Sequence, residues 1–286
     1  MTLKSILATL ALALVSPITL IVANAEAQEQ TFRFDMSGTR PALSVSVADQ
    51  PAELWIFDTG AGGNVVDIER ARAWSLADNG PAQIGSPIGG TPIQGFRTAV
   101  SGARVGDATL PDFNAVAMPL PAHLERAGVL SPNTFRGQLV TLDFAHNELR
   151  VREKNAANTP AGEATPYHGG GHPLPGIPVR LGGESYVAHL DTGAPHTLTF
   201  PYEMAASLPL AAAPERVGVA RFVDGERARY RAQLRGTVRV GPLTITDPEI
   251  GLIEGLPFLN VGMGLLNQMT ITLDPAEQRV WATANG

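Results

Sequence analysis

The 286-residue sequence has no cysteine, which excludes a disulfide framework, a thiol nucleophile and any cysteine-ligated zinc or iron–sulfur site. Charged residues are only 17%, and the formal net charge of -6 argues against a general nucleic-acid binder, which would need a basic face. Helical periodicity is scarce, confined to 67–76 and 201–208. There is no Walker loop, no Gly-x-Ser-x-Gly elbow and no His-Glu-x-x-His pattern. Gly262-Met263-Gly264-Leu265-Leu266-Asn267 lacks the third glycine of a dinucleotide fingerprint. What remains is apolar and heavily punctuated. Hydrophobic residues are 44%, enough for a sizeable core, and 30 Gly with 23 Pro suit short strands and turns. The expectation is an all-β protein of one or two domains.

Residues 1–25 read as a secretory signal peptide. Lys4 is the only charge before Glu26, the stretch between them is mostly apolar, and two small-x-small sites follow at Ala23-Asn24-Ala25 and Ala25-Glu26-Ala27. An uncleaved membrane anchor is the alternative, since the stretch is nearly long enough to span. Ser16-Pro17 in its middle favours cleavage. Export to an envelope space or the medium is expected, with no stable membrane association afterwards.

The rest of the chain repeats itself. Glu53-Leu54-Trp55-Ile56-Phe57-Asp58-Thr59-Gly60-Ala61 answers Tyr186-Val187-Ala188-His189-Leu190-Asp191-Thr192-Gly193-Ala194. Arg104-Val105-Gly106 answers Arg239-Val240-Gly241, and Val140-Thr141-Leu142-Asp143 answers Ile271-Thr272-Leu273-Asp274. The common order and near-constant offset mean two copies of one unit, read as lobes at 28–154 and 173–286. The intervening 155–172 is rich in Ala, Gly, Pro and Thr and is taken as a linker. His168 and His172 at its end offer two imidazoles without a third ligand, so a flexible loop is expected there and no metal site. Each copy opens with a hairpin, 42–47 with 52–57 and 177–181 with 185–190, whose second strand ends in Asp-Thr-Gly. A later hairpin in each copy turns near Gly89-Gly90-Thr91 and at Val223-Asp224-Gly225-Glu226.

An aspartate ending an apolar strand is costly unless hydrogen-bonded or shared with water, and here it occurs at two equivalent places. If the two loops face one another, Asp58 and Asp191 come within contact. Like charges that close cannot both ionise, so one proton is shared and the pair becomes one acid and one base around a water. That is equipment for attack of water on a carbonyl.

These loops, carried in a repeat, resemble those of a two-lobed aspartic protease of the pepsin/retropepsin superfamily. Two further segments fit, Val129-Leu130-Ser131 and Asn260-Val261-Gly262, each 12 residues before the terminal aspartate of its block. Ser131 replaces the usual glycine and Asn260 an apolar residue, departures that weaken the detail of this support. The resemblance implies an all-β bilobal acid-protease fold, two related barrel-like lobes with a cleft between them. It implies Asp58 and Asp191 as the catalytic pair, Thr59 and Thr192 as cross-bonds between the loops, and Gly60 and Gly193 close to the dyad. Gly89, Gly90 and Thr91, with Asp224 and Gly225, would be flap tips over a peptide. No tyrosine lies between 84 and 96, where the first pepsin flap carries one, so the two flaps are closer to the retroviral arrangement.

Ala61 and Ala194 stand where pepsin-like relatives often carry a hydroxyl that favours the charged carboxylate. Both dyad pKa values are therefore expected to lie higher, with activity toward mildly acidic or neutral pH. His189, two before Asp191, shares its strand face and is a candidate subsite residue; packing is the alternative. The expected function is a monomeric aspartic endopeptidase acting on peptide or protein, without metal or organic cofactor. Two rivals stand beside it: a peptide-binding protein on the same fold without turnover, and, less fittingly, a carboxylate-pair glycosidase, in which the Thr-Gly after both acids would have no role.

Overall fold

The structure is a computed structural model and describes residues 29–85, 91–121, 124–169, 173–222 and 225–285. The expected leader, His172 and the hairpin residues Gly89, Gly90 and Asp224 lie outside them. Among the described residues no helix is long and apolar enough to cross a membrane.

The chain is built almost wholly from short strands, and the repeat seen in sequence is a repeat of topology. The first lobe is a seven-stranded sheet in the order Ala42–Val45, Glu53–Phe57, Gly128–Leu130, Asn64–Asp67, Phe113–Met118, Ile93–Val100, Pro81–Ile84. The second lobe runs through the equivalent elements in the same order: Gly176–Leu181, Glu184–Leu190, Leu259–Val261, Leu198–Pro201, Glu249–Ile253, Gly225–Gln233, Glu215–Phe222. Two more strands, Thr237–Val240 and Leu243–Thr246, extend it beyond Gly176–Leu181. Their first-lobe counterparts, Arg104–Val105 and Ala108–Thr109, form a separate ribbon joined to the sheet by a bridge from Arg104 to Ser46.

Side-chain alternation explains the sheets. Ala42–Val45 buries three residues and exposes Ser44, whereas Trp55, Ile56 and Phe57 are all buried because strands flank them and core covers both faces. Trp55 stacks on Trp74, 6.1 Å between ring centroids, and meets Phe113 edge-on. Burying each such ring stabilises the fold by roughly 1.5–3 kcal/mol. Of the two helical patterns, the first is a short α-helix, Ile68–Ala73, whose N-cap Asp67 accepts from the amides of Glu69 and Arg70. The second tightens into a 3₁₀ turn, Tyr202–Ser207.

A third sheet ties the copies together. Its order is Gln30–Arg33, Glu148–Glu153, Gln138–Asp143, Met269–Asp274, Arg279–Ala284, Thr165–Pro166. At its centre the two Thr-Leu-Asp blocks pair antiparallel with each other, Thr141 opposite Thr272, their hydroxyls 2.9 Å apart. The linker is more ordered than its composition predicts: Thr165–Pro166 forms the sheet's last strand, and His168 bridges to Leu174.

Candidate active site

Both Asp-Thr-Gly loops begin where a strand loses its antiparallel partner but keeps a parallel one. Gly128–Leu130 runs beside Glu53–Phe57, and its Leu130 carbonyl accepts the Asp58 amide at 2.8 Å. Leu259–Val261 does the same beside Glu184–Leu190, with the Val261 carbonyl accepting the Asp191 amide at 2.9 Å. Each aspartate is thus fixed by the end of the supporting strand that the sequence had marked.

The threonines bind the loops to each other. Thr59 Oγ1 donates to the Leu190 carbonyl at 2.6 Å and accepts from the Thr192 amide at 3.1 Å. Thr192 Oγ1 donates to the Phe57 carbonyl at 2.6 Å and accepts from the Thr59 amide at 3.0 Å. Both hydroxyls are fully used and both side chains are buried. Removing either would strand a buried amide and a buried carbonyl.

This clasp brings the acids together. A methyl group placed at Gly60 would sit 2.9 Å from Asp191 Oδ1 and 3.2 Å from Asp58 Oδ1; one at Gly193 would sit 2.5 Å from Asp58 Oδ2 and 3.0 Å from Asp191 Oδ1. Both carboxyl groups therefore lie against each of the two glycines, and a side chain at either would collide with them. The Gly60 amide donates to Asp58 Oδ1 at 2.7 Å. Burial first, then the neighbouring Asp191, pushes the Asp58 carboxyl up to about 7. Asp191 is also raised, by burial, with opposition led by a hydrogen bond from Asn260. Like charges at this spacing hold one proton between them. Ala61 and Ala194 give only backbone turns, their amides donating to the carbonyls of Asp58 and Asp191 at 3.3 and 3.2 Å, so no hydroxyl from those positions reaches a carboxylate.

The two departures in the supporting segments have separate physical reasons. A Cβ at Gly262 would lie 2.3 Å from the His196 carbonyl oxygen, so the second lobe requires glycine there. The Gly262 amide donates to the Thr197 carbonyl at 2.9 Å; in the first lobe the Ser131 amide donates instead to the Asn64 side chain, whose Oδ1 also accepts the Thr134 hydroxyl, both at 2.8 Å, and a serine is accommodated. Asn260, expected to leave the dyad untouched, reaches into it: its Nδ2 donates to Asp191 Oδ2 at 2.6 Å. The break in the apolar pattern was its signal.

His189 is corrected as a subsite candidate. It is 4% exposed and packs against Phe258, ring centroids 4.0 Å apart, with His168 at 6.2 Å. Burial first, then His168, drives its pKa down to about 4, so it is a neutral core residue. His168 faces it, and no group of three or more ligating side chains occurs among the described residues. The two later hairpins exist, with Ile84 opposite Ile93 and Phe222 opposite Gly225. Thr91 and Gly225 are both exposed beside those tips.

Arg40 was not foreseen. Its Nε donates to the Gly193 carbonyl across the lobes, and its charge lowers the pKa of both aspartates. No motif announces it, because the contact joins residues 153 positions apart.

A family model described as aspartyl protease matches residues 43–134 and 177–274, one segment in each lobe. No curated protein matches the sequence. With the match falling twice, each time on a sheet that ends in one of the paired aspartates, the chain belongs to the aspartyl protease family.

Proposed function

We propose that the protein is an aspartic endopeptidase that hydrolyses peptide bonds with a water held between Asp58 and Asp191. The observation that carries this is the close approach of both carboxyl groups to both Asp-Thr-Gly glycines, in loops clasped by reciprocal threonine hydrogen bonds. In the resting pair one carboxyl is ionised and one protonated. The ionised carboxylate takes a proton from the water as its oxygen attacks the carbonyl carbon. The protonated carboxyl gives its proton to the carbonyl oxygen, and a gem-diol forms. The first carboxyl then passes the water's proton to the amide nitrogen. The C–N bond breaks, and the second carboxyl recovers its proton from a gem-diol hydroxyl.

The substrate is an extended peptide, held by main-chain hydrogen bonds as an added strand. The protein works after export, a reading supported by the uncharged stretch and small-residue sites of the first 27 residues. Asp58→Asn and Asp191→Asn are expected to lower kcat/KM on a peptide-library substrate by at least about a thousandfold, with peptide binding largely kept. A pepstatin-type inhibitor should titrate the wild-type activity. Wild-type protein that binds peptides but turns none over would establish the non-catalytic rival instead.

A further inference from the structure

In the bonds made to the aspartates themselves, the two halves of the dyad are built alike with one exception. Each aspartate takes its backbone amide bond from the end of the supporting strand, and each accepts from the glycine two residues on, Gly60 for Asp58 and Gly193 for Asp191. Arg40 lowers both, and its hydrogen bond goes to the Gly193 carbonyl rather than to a carboxylate. The exception is Asn260. It sits on Leu259–Val261, level with His189 on one side and Thr199 on the other, and its amide reaches Asp191 Oδ2. The matching position of the first lobe is Val129, level with Ile56 on Gly128–Leu130. Valine offers no donor, so among the described residues Asp58 has no side-chain amide against it.

We propose that Asn260 is a positioning residue that decides which aspartate carries the shared proton: its amide holds the charge on Asp191 and leaves the proton on Asp58. Asp191 is then the base that takes the proton from water, and Asp58 is the acid that protonates the carbonyl oxygen. A hydrogen bond donated to a carboxylate stabilises the charged form and has no equal value to the neutral one. Asn260 Oδ1 is buried without a partner, a cost that makes sense if the residue is kept for its donor side. The device also answers the two alanines. Where Ala61 and Ala194 remove hydroxyl donors from both loops, a single amide returns to one of them from a neighbouring strand.

Among the described residues, the other titratable or charged groups around the pair are few. Asp58 and Arg40 face Asp191 from the first lobe and the segment before it. His189, on the strand leading into the loop, is kept neutral by burial, and His168 faces it. His196, in the loop after Asp191, is likewise lowered by burial, then by Arg229 and Arg40. None of them distinguishes one carboxyl as Asn260 does.

The inference rests on the peptidase reading, and its test separates the two. The pH profile of kcat/KM is compared for wild type and Asn260→Val, which installs the first lobe's own residue. Asn260→Ala, which adds no bulk, gives the same comparison if the valine variant folds poorly. Losing a donor to the charged carboxylate should move the acid-side limb up by about one pH unit or more. The double variant V129N/N260V, which supplies an amide to the other aspartate, should bring that limb back down. A carbon-13 titration of the aspartate carboxyl signals in the same proteins reads the shift without turnover. A moved carboxyl titration in a protein with no activity keeps the Asn260 assignment and sinks the peptidase. An acid limb and titration that stay put in N260V overturn the assignment. So does a downward move, which would mean that Asn260 accepts a proton held by Asp191.

Discussion

His189 shows how one side chain can read as functional in sequence and be structural in the fold. Strand period places it on the face of Asp191, yet that face is already core at its position, and Phe258 stacks on the imidazole. Its pKa of about 4 in the folded chain lies below the ordinary histidine value in the unfolded one. Between about pH 6.5 and 4 the unfolded state therefore binds the extra proton, and stability present above that window is lost as pH falls through it. The raised Asp58 works the other way: its folded pKa lies above the unfolded value, so its contribution is full at low pH and fades as pH rises toward about 7. A replacement at His189 leaves the second effect in both proteins and removes only the first. His189→Leu is thus expected to gain on wild type by on the order of 2 kcal/mol when urea unfolding is moved from pH 7.5 to pH 4.5. Cleavage preference should not change. A gain that is the same at both pH values would mean that the imidazole titrates normally in the fold.

At the scale of elements, the two Thr-Leu-Asp blocks turn from a sequence repeat into a pair of hairpins that meet. Each terminal aspartate is buried and accepts the amide three residues on, His146 for Asp143 and Glu277 for Asp274, which shapes a turn closed by a left-handed residue, Asn147 or Gln278. Burial pushes the Asp274 carboxyl up, but Lys154, the Glu277 amide and Arg279 together bring it below the ordinary range. Lys154 follows the last first-lobe strand of this sheet and reaches Asp274 at 2.8 Å, so the pair joins the copies. Asp274→Asn keeps the shape and loses the charge, and is expected to cost about 1–3 kcal/mol at pH 7 by urea denaturation. The sign follows from the lowered pKa: the benefit is present above the unfolded value of about 4 and is lost as pH falls through the folded one, so the difference between the two proteins should shrink as pH falls below about 4. A cost that stays the same at every pH down to acid unfolding would assign the loss to packing instead. Strand-ending aspartates, hairpin turns and the opening strands were legible because each is local: alternation, a turn residue and an apolar run suffice. The pairing of Gln138–Asp143 with Met269–Asp274 was not, since nothing in either stretch says that its partner is its own copy 131 residues away. A separation of 153 residues hid Arg40 from view, and Asn260 was visible only as a flaw in a pattern.

For the whole molecule, the aspartate pair is a property of docking and belongs to neither lobe. Asp58 and Asp191 each end a strand of a separate sheet, and what holds the two sheets in register is the threonine clasp, Arg40 and the shared six-stranded sheet. The covalent connection contributes little geometry until Thr165–Pro166, because residues 155–164 are held mainly by local turns at Asn155 and by one bond from Trp281 to Gly162. Its main contribution is effective concentration, which keeps the second half near the first at a cost that grows only slowly with linker length. A single proteolytic nick between Ala161 and Glu163, both near the exposed middle of this stretch, should therefore leave the halves associated and the dyad formed. Activity per molecule is expected to stay within a few-fold of the intact chain at micromolar protein and to fall on dilution as the halves separate. The intact chain should show no such dependence. Gel filtration of the nicked protein across the same dilutions tracks the separation directly. Activity lost at once on nicking, with the halves still together, would show that the linker shapes the cleft, and the account of the lobes as two sheets clasped at their strand ends would have to give way.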